Sequence, residues 1–146
     1  ATERFGELAD ECVRVGIAAY GYAQFDESLN LRPVLKLYAD LISSRVLKKG
    51  ERVGYGAKFE APRDMRIGTY DLGYADGLFR YDGEGELALA SGQKMLGKMS
   101  MDSFCAEFGG ERICVLSDAR AWAKRFGTIE YEILVKLNSN IPRRFQ

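Results

Sequence analysis

Residues 34–42 read VLKLYADLI. Leu35, Leu37, Ala39 and Leu41 alternate with Val34, Lys36, Tyr38 and Asp40, the period of a strand with one buried face. The parity then slips near Ile42, as a bulged extra residue would cause, because a shift of one residue sends every later side chain to the other face. Outward from this run, the segment from Leu31 to Val115 reads mainly as strands. MRIGTYDLG (65–73) is a second run, and ELALAS (86–91) and DSFCAEF (102–108) alternate, the latter with Phe104, Ala106 and Phe108 on one face. ERICVL (111–116) is a shorter run. Glycines at 83, 85, 92, 97, 109 and 110 separate these pieces at turn spacing. The pattern predicts a mainly β fold, a small antiparallel, Greek-key-like β-barrel.

The carboxyl-terminal part changes period. Ala119, Trp122, Ala123 and Phe126 recur at helical spacing after Ser117 and Asp118, and Gly127 ends the run. Thr128 is expected to cap a second helix in IEYEILVKL (129–137), with Ile129, Ile133 and Leu137 on one face. Residues 1–30 read differently again. Cys12 to Val15 form a strand-like piece, followed by Gly16 and a stretch of small residues. A strand ending in glycine before a helix start presents unpaired N–H groups that suit an anion. On these residues alone, a glycine easing a strand–helix junction explains the pattern equally well. Residues 1–30 resemble the last strand–helix unit of an α/β domain and 31–146 a β-rich domain, the organisation expected of a piece of a longer protein.

The chain has 146 residues, of which 21 are Lys or Arg and 21 Asp or Glu. Zero net charge gives no nucleic-acid surface and no polybasic membrane patch. Apolar runs fall far short of the roughly 20 residues of a membrane span, and the polar stretch ATERFGELADE does not read as a signal peptide. Three cysteines, Cys12, Cys105 and Cys114, form no CxxC pair, which fits reduced thiols and a cytoplasmic location. Histidine is absent. No metal site is expected, and any acid–base chemistry falls to Tyr, Lys, Asp, Glu or Cys.

Tyr55 stands between Gly54 and Gly56 in ERVGYGAKF (51–59). The flanking glycines free the backbone and remove neighbouring side chains. Such a tyrosine is either a turn residue or a phenol held out to meet something. A phenol with a pKa near 10 acts as a base near neutral pH only where positive charge favours the phenolate.

Six stretches in order, VRVGIAAYG, VGYGAKF, IGTYDLGYADGLFR, GKMSMDSF, GTIEYE and IPRR, resemble the carboxyl-terminal part of alanine racemase. They cover nearly the whole chain. The resemblance implies a homodimer in which a β-rich carboxyl-terminal domain closes the partner's active site. It also implies pyridoxal 5′-phosphate (PLP) bound to a lysine of an amino-terminal α/β barrel, a lysine with no counterpart here. The implied substrate is alanine, and the implied reaction interconverts its L and D forms. A broader-specificity amino-acid racemase of the same plan, or a β-barrel interaction module without catalysis, remains an alternative.

The same resemblance implies roles for individual residues. Tyr55 matches a catalytic base acting on one face of the substrate while the partner's cofactor lysine works on the other. Arg14 matches an arginine donating to the pyridine nitrogen of PLP, which leaves that nitrogen unprotonated because arginine keeps its proton. Gly16 and Ile17 match backbone N–H donors to the cofactor phosphate, and Tyr131 a tyrosine that also bonds it. Met101 matches a residue whose backbone N–H meets the substrate carboxylate. Tyr74 and Arg80 match residues lining the entrance corridor. Read without the resemblance, Arg14 is a surface charge at the end of a strand face, Met101 a core filler, and Tyr74, Arg80 and Tyr131 ordinary loop and helix residues. Two positions depart from the family pattern. Lys98 stands where an arginine is usual, and Ser100 where a cysteine is usual.

Overall fold

A computed structural model describes residues 15–23 and 29–145. The chain divides into two compact units, Ala1–Leu35 and Lys36–Gln146. In the first, a 3-10 turn runs over Gly16–Tyr20 and Gly21 closes it at φ +85°, donating to the Ala18 carbonyl at 3.0 Å. Val34 donates to the Tyr20 carbonyl at 3.2 Å, so the chain returns over the turn. Gly21 has no room for a side chain, since a Cβ there would lie 1.7 Å from the Arg32 oxygen. Ile17 and Tyr22 are buried. The expected strand over Cys12 to Val15 lies outside the described residues except for Val15, which heads the turn.

The second unit is mainly β. Strands β1 (Leu37–Leu47), β4 (Met65–Tyr70), β5 (Phe104–Glu107) and β6 (Arg112–Leu116) form a curled antiparallel half-barrel sheet in the order β5-β4-β1-β6. Strands β2 (Arg52–Val53) and β3 (Phe59–Glu60) make a separate hairpin. The slip expected near Ile42 is present. Leu41 pairs with Tyr70 and Ser43 with Thr69, so Ile42 is the extra residue. β4 itself is uninterrupted, and Tyr70 and Met65 therefore point to opposite faces. Through the bulge, Leu41 shares Tyr70's face while Leu47 shares that of Met65 and Ile67. The long strand can thus pack on both sides. Before the bulge, Leu37 and Ala39 are buried; after it, Leu47 joins Ala61, Ile67 and Leu96 in a cluster edged by Val53, Phe59, Met65 and Cys105.

ELALAS keeps its alternation, with Leu87 and Leu89 buried, but forms only a single bridge, Ala88 with Lys94. Its N–H groups are divided among partners. Leu89 donates to Gln93, Ala90 to Val115 and Ser91 to Cys114, so no continuous ladder develops. Helix α1 (Ala119–Phe126) is capped by Asp118, whose carboxylate accepts from the Arg120 N–H at 2.9 Å, and it ends at Gly127 as expected. Helix α2 (Glu130–Val135) corrects the capping expectation. Its N-cap is Ile129, with no side-chain cap, and the Thr128 hydroxyl donates instead to the Glu132 carboxylate. Ile129 is also 61% exposed, so the buried stripe of α2 is Ile133 and Leu134. Among the described residues no helix is long and apolar enough to cross a membrane.

Leu47 is fully buried in the cluster behind the bulge. Leu47→Ala should lower stability by about 2–5 kcal/mol. The measurement is the midpoint of urea denaturation, followed by the fluorescence of buried Trp122, the chain's single tryptophan.

Candidate functional site

Three segments of the second unit stack backbone against backbone. The Tyr55 N–H donates to the Lys98 carbonyl at 3.0 Å, and the Met99 N–H donates to the Tyr81 carbonyl at 3.0 Å. Gly97 and Lys98 are therefore held between the 54–55 and 81–83 segments. The approach is too close for side chains. A Cβ on Gly54 would lie 2.9 Å from both the Gly97 Cα and the Lys98 nitrogen, and Gly54 sits at φ +85°. This mount turns Tyr55 outward, 63% exposed.

The next residues of the same segment support the rest of the site. The Ser100 carbonyl accepts from the Tyr74 N–H at 3.3 Å, and the Met101 carbonyl from the Ala75 N–H at 2.8 Å. Gly73 gives the clearance, since a Cβ there would meet the Met101 oxygen at 2.2 Å. The turn Tyr74–Asp76 is tightened by Asp76, whose carboxylate accepts from the Gly73 N–H at 2.8 Å. Arg80 then reaches two rings. Its guanidinium carbon lies 5.2 Å from the centre of Tyr74 and 5.8 Å from that of Tyr55, within cation–π range. Tyr55, Tyr74, Arg80 and Met101 therefore gather on one exposed surface.

Hydroxyl bonding separates the tyrosines of this unit. Tyr70 is buried, donates to the Gly110 carbonyl and accepts from the Gly109 N–H. Tyr81 is buried and donates to the Gly85 carbonyl at 2.6 Å. Burial of its ring pushes the Tyr81 phenol up from its ordinary pKa, which suits a structural hydroxyl rather than a base. Among the described residues, no hydrogen bond engages the hydroxyl of Tyr55, Tyr74 or Tyr131. The Met101 N–H has no hydrogen-bond partner among them either, and its side chain is 56% exposed.

Tyr131 lies on α2, apart from this group. The end of its helix, however, docks on the Tyr74–Asp76 turn. Asn138 donates from its backbone N–H to the Asp76 carbonyl at 2.9 Å and from its side chain to the Ala75 carbonyl at 3.3 Å. A Cβ on Gly77 would strike the Lys136 oxygen at 1.8 Å. In the first unit, Gly16 opens its turn at φ +66° and is exposed, while Ile17 buries its side chain. Arg14 lies outside the described residues. In the sequence Gly83 reads only as a turn marker, and neither Asp76 nor Asn138 stands out. Close approach of glycine backbone between distant segments leaves no local pattern to find. Among the described residues there is no group of three metal-ligating side chains.

The turn is also anchored at its base. Asp40 donates its N–H to the Asp71 carboxylate at 2.6 Å, and Asp71 donates its own to the Asp40 carbonyl at 3.1 Å. Arg112 grips the Asp40 carboxylate through two bonds of 2.5 and 2.7 Å. That bonding holds the Asp40 carboxyl below the usual carboxylate range. A depressed folded-state value gives a stabilisation that is present above the unfolded carboxylate pKa. It is lost as pH falls through the lowered one. Both partners are about half exposed, so the contribution is small. Arg112→Met should move the Asp40 titration midpoint upward toward the ordinary range, read by carboxyl carbon chemical shift.

Comparison with known proteins adds the following. The family described as "Alanine racemase, C-terminal domain" matches residues 34–145. An alanine racemase of Campylobacter curvus is 65% identical over 145 residues, 99% of this chain and 43% of that protein. Among solved structures, a biosynthetic alanine racemase from Pseudomonas aeruginosa superposes with a TM-score of 0.73 at 34% identity, covering 90% of this chain and 41% of the other. An alanine racemase from Bartonella henselae with covalently bound pyridoxal phosphate superposes with a TM-score of 0.73 at 27% identity, covering 85% and 38%. The chain spans less than half the length of each.

Proposed function

The chain belongs to the alanine racemase carboxyl-terminal domain family, and from that membership we propose that it completes the active site of a PLP-dependent racemase interconverting L- and D-alanine. The observation that carries this reading is the exposed Tyr55 phenol, free of hydrogen bonds among the described residues and facing Arg80. The Arg80 guanidinium stays protonated at any working pH and lies within cation–π range of the Tyr55 ring. Tyr55 Oη takes or returns the α-proton on one face of the substrate. The Met101 N–H orients the substrate carboxylate, for which its lack of an internal partner suits it. Tyr74 and Arg80 line the approach.

By family membership Gly16 and Ile17 are assigned to the cofactor phosphate through their backbone N–H groups, and Tyr131 through its hydroxyl. Arg14 is assigned to the pyridine nitrogen. Bound PLP supplies the electron sink that makes the α-proton removable. The lysine that carries it and serves as the second base belongs to a barrel domain, of which residues 1–30 are a remnant and 31–146 the β-rich complement. The working form is a cytoplasmic homodimer in which Tyr55 and Met101 serve the partner's site, and its D-alanine product feeds bacterial wall synthesis.

In the full-length enzyme, Tyr55→Phe should lower racemisation by about 100-fold or more, the scale of a lost general base. In deuterium oxide it should abolish α-proton exchange from L-alanine while exchange from D-alanine continues. Unchanged exchange from L-alanine removes Tyr55 from the base role. The isolated chain supplied with PLP should show no turnover, and measurable racemisation by it would overturn the shared-site reading.

A further inference from the structure

We propose that Gly83 is a positioning residue for Tyr55, acting through the backbone of Gly97 and Lys98. The inference rests on the reading of Tyr55 as the base. Gly83 lies outside the stretches that carry the family resemblance. It packs on Gly97 and Lys98, the segment to which Tyr55 is bonded. A Cβ on Gly83 would lie 2.9 Å from the Lys98 nitrogen and 3.0 Å from the Gly97 carbonyl carbon, whereas ordinary contacts begin at 3.4 Å. The Lys98 carbonyl of that segment accepts the Tyr55 N–H.

The Gly83 loop cannot retreat from an added methyl group. Tyr81 is fully buried, and its hydroxyl is bonded across the loop to the Gly85 carbonyl at 2.6 Å. Arg125, on α1, donates to the Glu84 carbonyl at 2.5 Å and lies 3.8 Å from the Asp82 carboxylate. The Met99 N–H ties the two segments together at the Tyr81 carbonyl. With its back to the helix, the loop transmits a displacement forward, through Gly97 and Lys98, into the Tyr55 mount. Gly54 leaves no slack on that side, since its own α-carbon environment is already too close to Gly97 and Lys98 for a Cβ. The same push reaches Met101, three residues beyond Lys98 on the same segment.

The test uses the full-length enzyme and a matched control. Gly92 sits at φ +94°, close to the +86° of Gly83, but a Cβ there meets nothing within 4 Å. Gly92→Ala thus carries the same left-handed backbone strain without the collision. Gly83→Ala should lower racemisation by about 10-fold or more, since sub-ångström to ångström misplacement of a reacting group has effects of this order. Exchange of the α-proton of D-alanine in deuterium oxide should persist while exchange from L-alanine falls. Gly92→Ala should change neither. Tyr81→Phe adds no atoms but frees the loop whose Tyr81 carbonyl holds the Met99 N–H, so the Lys98 mount is held less firmly and the same split should appear with a smaller loss, which decides the matter if Gly83→Ala fails to fold. Equal behaviour of Gly83→Ala and Gly92→Ala, or a parallel fall in both exchange rates, overturns the proposal. An unsplit Tyr55→Phe overturns the base assignment and this inference together; a split there with none in the Gly83 and Tyr81 variants overturns this inference alone.

Discussion

The site depends on three backbone segments approaching more closely than side chains allow. Gly54, Gly83 and Gly97 meet around the Lys98 peptide, and each would collide with a neighbour if it carried a Cβ. Backbone packing of this kind is stiff, because it has no rotamers to adjust and its hydrogen bonds fix the spacing. One consequence is that a tyrosine can stand 63% exposed and still be held in place. Another is that one short segment, from Gly97 to Met101, sets the positions of Tyr55, Tyr74 and Met101 together.

The bulge at Ile42 serves the same end from further away. A four-stranded sheet with one buried face would leave the β2–β3 hairpin with nothing to pack on. Reversing the parity of β1 gives the sheet a second buried face, and Leu47 and Ile67 receive Val53 and Phe59 of that hairpin. The hairpin leads directly into the Tyr55 turn. The exposed ion pairs, such as Arg52 with Glu60 and Lys48 with Asp64, sit along this region but contribute little beside the apolar cluster. Burial positions the turn, and the charges decorate it.

The tyrosines show how context divides one side chain between two uses. Tyr70 and Tyr81 are buried with their hydroxyls bonded to backbone, and they hold loops together. Tyr55 and Tyr74 share one arginine and leave their hydroxyls available. Nothing in the residue type distinguishes the two groups. The sequence did single out Tyr55 by its flanking glycines, and this was sound for Gly54, whose φ and clearance both demand glycine. Gly56 meets nothing within 4 Å, so its role is conformational alone.

Periodicity determined much of this protein. The alternation of β1, its slip at Ile42, the strands at 65–70, 104–107 and 112–116, and the helix after Asp118 were all readable, because each is written in neighbouring residues. The ordered motifs were enough to indicate the family. The capping of α2 was not readable, because Thr128 had a choice of partners and Glu132 took its hydroxyl. Nor was the missing ladder at ELALAS, whose N–H groups go to segments as distant as Val115. Only the tertiary structure brought Arg80 to Tyr55, Asn138 to the Tyr74–Asp76 turn and Gly83 to Gly97 and Lys98. Those contacts join residues far apart in the chain, and a sequence records a local preference without recording what will be packed against it.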